Sequence, residues 1–263
     1  MRETNDERER NYDEKVKSYE AELAAFQKHE AELLGECRKE PVTAACKLFR
    51  LAGEGLDACS KYLVINGIYH SIFGVRSEDT LGEARKAVLK AIIYIENIVT
   101  AKVDALFSDY ENFLDELNLV GAEQKLFFIR KLGLTIDLIK AAYGDNTKWK
   151  WLFVDIEGRF AVIAKNLLDF RKAQTNSMQS EDYAAIANHV RMVKHLLNRC
   201  ADLFLERYEL STKRAEDLRL AINHLAALQR VKLMLNDKED MELLKKKMET
   251  WQARLDGTPR PAF

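Results

Sequence analysis

Proline is almost missing from this sequence: three residues, at 41, 259 and 261, in a chain of 263. Between 42 and 258 no pyrrolidine ring removes a backbone donor, so nothing there forbids helix on that account. The apolar/polar alternation of a half-buried strand is missing too. Cysteine is scarce, and Cys37, Cys46, Cys59 and Cys200 are irregularly spaced, with no C-x-x-C pair and no Cys/His cluster. Such cysteines read as reduced thiols in a cytoplasmic protein. No window approaches the roughly 18 uncharged apolar residues of a membrane-spanning helix. Met1 to Glu7 contain no apolar signal-peptide region. Neither sign of charge dominates, with 41 basic and 42 acidic side chains and a net charge of −1. That balance excludes the basic excess of a general nucleic-acid or anionic-membrane binder.

The usual signatures of chemistry are missing as well. Neither Glu-x-x-His nor His-Glu-x-x-His occurs, and His189 and His195, six residues apart, do not share a helix face. There is no Gly-x-Ser-x-Gly elbow, phosphate loop or dinucleotide fingerprint. Gly53-Glu54-Gly55 follows no strand and reads as helix packing. None of the four cysteines has a local activator. These absences predict no metal, no cofactor and no catalytic residue.

What the sequence has is helical periodicity. From Asp145 to Arg171, Trp149, Leu152, Ile156, Phe160, Ile163, Leu167 and Phe170 recur every three or four residues. Trp151, Val154, Ala161, Ala164 and Leu168 widen the stripe, leaving a polar wedge of Lys148, Asp155, Arg159, Asn166 and Asp169. A helix apolar over most of its circumference is surrounded by protein, so this is the expected central helix, with Trp149, Trp151 and Phe160 in the core. Glu157 lies opposite the wedge, where a carboxylate needs a partner. A lysine or arginine from another helix is one such partner, and a small ligand pocket is the alternative. Asp155 and Arg159 read as an exposed i, i+4 pair. Lys148-Trp149-Lys150-Trp151 reads as core before it reads as a stacking platform. Lys245-Lys246-Lys247 sits among acidic residues and reads as a solvated face.

Residues 3 to 38 form a separate first helix, closed by Pro41. Tyr12, Val16, Tyr19, Leu23, Phe26, Glu30, Leu33 and Cys37 make a heptad seam with one glutamate in it. This arm carries 11 acidic and 6 basic residues, a net of −5, and the remainder of the chain a net of +4. Val16, Tyr19, Leu23, Phe26 and Leu33 are too apolar to stay in water. They pack on the body of the chain, on a second copy or on another protein, and the opposite charges favour basic helices of the body. The portion before Tyr12 is expected to be mobile.

Further helices are predicted over 42–73, about 80–107, a short piece over 109–117, 123–143, 181–209, 212–235 and 238–255, the last two as a hairpin. Ser77 or Asp79 caps the third helix, Asp145 to Thr147 cap the central one, and Gly144 ends the helix before it. The fold class is all-α: a multi-helix bundle or an α-solenoid-like array of helical hairpins, with a long coiled-coil-like helix at the N-terminus. No fixed repeat period is present. The expected division is an arm over 1–40, a helical domain over 41–256 with a sub-boundary near 174–180, and a disordered tail over 257–263.

Lys90-Ala91-Ile92-Ile93-Tyr94-Ile95-Glu96-Asn97-Ile98-Val99-Thr100 and Tyr143-Gly144-Asp145-Asn146-Thr147-Lys148-Trp149-Lys150-Trp151 resemble an uncharacterised all-helical protein family of spirochaete bacteria. The likeness extends over most of residues 45 to 255. It implies a bacterial cytoplasmic protein with a structural or regulatory part, and transfers no functional residue. The expected function is a non-enzymatic helical scaffold or adaptor for protein partners, with a homo-oligomer among the options. A helical ligand-binding or catalytic domain with an unfamiliar site is the alternative.

Overall fold

The structure, a computed structural model, describes residues 4–40, 43–117, 119–144, 147–175 and 177–257. Pro41, the caps Asp145 and Asn146, and the tail from Thr258 lie outside the described residues. Ten α-helices and no strand occur among the described residues, so the protein is all-α. The chain divides into two compact units, at other places than residue 40 and 174–180. Unit 1 holds residues 1–98, 116–119 and 128–149, and unit 2 holds 99–115, 120–127 and 150–263.

Unit 1 is built on α1 (Asn5–Lys39), α2 (Ala44–Phe73), α3 (Glu78–Val99) and residues 128–143 of α5 (Ala122–Tyr143). Thr4 and Glu7 close a capping box at the start of α1, so the helix is formed well before Tyr12. Numbers on α2 fall as those on α1 rise: Tyr12 meets Tyr69 and Phe73, Lys61 pairs with Glu22, and Lys47 pairs with Glu36. The two helices are therefore an antiparallel hairpin, and the seam is satisfied within the chain. Val16, Leu23, Ala58 and Ile65 form its buried cluster, with Tyr19 and Phe26 half-buried against it.

The basic-helix expectation needs correction. The α2 segment has three basic and two acidic residues, and α3 has three basic and four acidic. Individual ion pairs, not opposite net charge, meet the arm. Gly74 at φ +75° ends α2, and the Ser77 hydroxyl accepts from the Thr80 amide to cap α3. On α3, Leu81, Ala84, Val88, Ala91, Ile92 and Ile95 are buried.

The α3 periodicity predicts helix to about residue 107, but the helix ends at Val99 and Thr100 turns to φ +81°. Side chains elsewhere in unit 2 take up the carbonyls that follow. Asn166 donates to Thr100, Arg230 to Val103 and Lys165 to Ala105. These bonds hold residues 100–106 in irregular backbone, overriding the pattern.

Unit 2 contains α4 (Glu111–Glu116, to residue 115), α6 (Lys150–Asn166), α7 (Phe170–Gln174), α8 (Tyr183–Arg207), α9 (Ala215–Met234) and α10 (Met241–Asp256). The predicted central helix does not run on to 171. It stops at Asn166, and the Asp169 carboxylate accepts from the Arg171 and Lys172 amides to start α7. Helix α6 packs on α8, α8 on α9, and α9 on α10, where Leu244 and Trp251 are buried. Gly158 allows the first of these contacts. A Cβ there would stand 2.7 Å from the Phe204 ring. Lys247 is not free in solvent, since it pairs with Asp202 on α8 at 2.7 Å.

Candidate functional site

The arm residues form one side of a cleft in unit 1. Val16, Leu23 and Leu33 are buried, and Tyr19 and Phe26 half-buried, on the face that meets α2. Glu30 is only 7% exposed. Its carboxylate accepts from the Lys90 ammonium at 2.7 Å and from the Tyr94 hydroxyl at 2.6 Å, both on α3. The position that weakens the seam as a symmetric coiled coil is thus a polar fastening to a third helix. A cavity of about 190 Å³ opens beside it, lined by Phe26, Glu30, Tyr62, Lys86 and Lys90 among others. A wider, more open groove of about 540 Å³ runs between Tyr12, Leu23, Tyr62 and the start of α3.

In unit 2, Phe160 and Leu167 are buried on α6. Trp151 is half-buried, with the Lys150 ammonium 4.6 Å from its ring centre. Trp149 is half-buried and belongs to unit 1, where the Arg85 guanidinium lies 4.0 Å from its ring. Of the three expected core residues, only Phe160 is fully buried. Each indole instead presents a face to a cation. The Glu157 carboxylate is buried and meets Arg199 of α8 at 3.0 Å. Asp155 bonds Arg207 of α8 at 2.7 Å. Arg207 also binds Asp217, which accepts from Thr212 in the π turn Tyr208–Thr212.

Periodicity does not single out Lys165. It borders the polar wedge on a helical wheel, which assigns it to solvent, yet it is 4% exposed. Its ammonium donates to the Ala105 carbonyl at 3.1 Å and lies 5.5 Å from the Tyr110 ring centre. Burial, then the nearby Arg230 cation, pushes the amine down to about 8, against the pull of Asp104 and Asp109. The Tyr110 hydroxyl is buried with no partner among the described residues. Lys165, Tyr110 and Arg230 line a cavity of about 30 Å³, enough for one water or one small ion.

The remaining feature is the outer face of α5. Its inner face packs on α2, with Phe128 against Phe49 and Lys131 bonded to Gly53 and Asp57. Its outer face leaves Leu134 61% and Leu138 47% exposed, with Ala141 beyond them. Contacts from Phe49–Phe128 to Asp57–Lys131 run in the same direction along both helices. Val64 on α2 is 43% exposed.

The sequence pattern of the TP0443 family, an uncharacterised family of Treponema pallidum, matches residues 8–258, and the chain belongs to that family. The match includes the arm, which lies outside the stretch where the spirochaete resemblance was first legible. No curated protein and no solved structure matches the chain.

Proposed function

We propose that this member of the TP0443 family is a non-enzymatic helical scaffold that binds protein through the outer face of α5. The observation that supports it is the pair of exposed apolar side chains Leu134 and Leu138, one helical turn apart. Adjacent exposed apolar residues on a helical surface suit a protein contact better than they suit water. The arm belongs to the frame, since its own seam is already satisfied by α2. The same reading assigns the protein to the cytoplasm, where its four free thiols stay reduced. A photo-crosslinking amino acid at position 134 or 138, in the native cell, should give protein adducts, with position 32 on α1 as an exposed polar control. Adducts at all three positions alike, or at none, would sink the proposal.

A second reading rests on the donors around the Lys165 cavity. Two cations and an unpartnered phenol suit a small monovalent anion. Melting temperature measured against formate concentration, at fixed ionic strength, should then rise and saturate, and Lys165→Met should abolish the rise. A flat wild-type curve removes this reading.

A further inference from the structure

We propose that the partner of α5 is a second copy of this chain, its α5 antiparallel to the first across a two-fold axis near residues 133 and 134. This rests on the reading of α5 as a binding face and names what covers it. The argument comes from charge. Arg130 and Asp137 are exposed, and neither side chain has an ion pair or hydrogen bond among the described residues. At about 100° per residue both fall on the same flank of Leu134, while Leu138 and Lys131 fall on the other. In an antiparallel helix pair, like flanks face one another. A two-fold axis midway between positions 130 and 137 therefore sets Arg130 of each protomer opposite the partner's Asp137. Two ion pairs then bracket the facing Leu134 side chains, with Leu138 of each chain just beyond them on the other flank.

A parallel pair does not do this. It would set that flank against the partner's opposite flank, where Arg130 would stand beside Lys131, a charge of the same sign. A partner of one charge sign fits poorly, because the flank carries one cation and one anion. An isologous contact requires a surface that complements itself, and this arrangement of charges provides it.

The test uses the full chain in sedimentation velocity from about 1 to 100 micromolar, the range of a small interface. A reversible monomer–dimer equilibrium is expected, and Leu134→Asp should abolish it. Arg130→Asp or Asp137→Arg alone sets like charges opposite each other twice per dimer, and should weaken association by roughly tenfold. The double exchange, Arg130→Asp with Asp137→Arg, should recover it. Circular dichroism of each variant checks that the helices remain. A wild type that stays monomeric overturns the proposal, as does a dimer indifferent to Leu134→Asp or a double exchange no better than the single ones. If the purified chain is monomeric while position 134 crosslinks a different protein in the cell, self-pairing falls and the scaffold reading stands.

Discussion

Glu30 on α1 and Lys165 on α6 are both charged residues with less than a tenth of their surface exposed. Glu30 has a cation and a phenol directed at it from α3, and Lys90 keeps contact with solvent beyond the pair. Lys165 has one backbone carbonyl, a like charge nearby and an unpartnered phenol. The first arrangement is complete and fixes where a helix lies. The second leaves donors over and is where a ligand could act. The helices differ in the same sense: α1 buries one seam, whereas α6 is buried almost all round from Phe153 onward. Burial of a charge alone thus says little about function until its partners are counted.

The largest effect should come from the all-round burial of α6. Phe160→Ala should cost about 3–5 kcal/mol in chemical denaturation. Phe26→Ala on the half-buried seam should cost no more than about 2 kcal/mol. Equal losses would break the contrast between the two helices.

Unit 2 should also carry an acid sensitivity. His189 is buried against the Ala164 carbonyl, and burial pushes its imidazole down to about 4. The unfolded value is about 6.5, so between those values the unfolded chain binds more protons. The contribution is whole above about pH 6.5 and is lost as pH falls towards 4, by about 3 kcal/mol in all. Urea unfolding of the wild type at pH 7 and 4.5 should show that loss, and His189→Gln should flatten it. An identical pH slope in both proteins rules the assignment out.

Glu30 and Lys165 can be set against each other directly. Glu30→Ala leaves the Tyr94 hydroxyl without its partner and should cost about 2–3 kcal/mol. Lys165→Met removes a buried charge and orphans one carbonyl, two opposing effects that leave a change within about 1 kcal/mol. A large loss from Lys165→Met would mean that its ammonium is as completely paired as Glu30.

The smallest test uses glycines. Gly158→Ala forces the Phe204 ring to move and should cost about 1–3 kcal/mol. At Gly55 a Cβ would meet Ala91 at an ordinary 3.7 Å, so Gly55→Ala should be neutral or stabilise by up to about 1 kcal/mol. The reverse order would mean that α1, α2 and α3 are the tighter group.

Much of the helical layout is legible because periodicity is local. The α1 seam, the cap at Ser77, the stop at Gly144 and the α9–α10 hairpin can be read from spacing and capping residues. Misreadings arise where a distant side chain competes with the local pattern. Val103 and Leu106 continue the α3 period, yet Asn166, Arg230 and Lys165 take the carbonyls of that segment. Asp155 binds Arg207, 52 residues away, a partner that no local spacing indicates. The open face of α5 is not legible in the sequence because Leu132 and Leu134 look alike there, and only one is covered.

By itself the sequence determined that the chain is all-α, where most helices begin and end, and that Glu157 required a partner. Those conclusions depend on backbone chemistry and on spacings within a few turns. Tertiary structure alone decided that the arm folds back on α2, that Lys90 and Tyr94 receive Glu30, that Lys165 is buried and that one face of α5 stays open. Such outcomes depend on which surfaces meet across long stretches of chain. A helical repeat of 3.6 residues carries no information about the residue that will stand opposite.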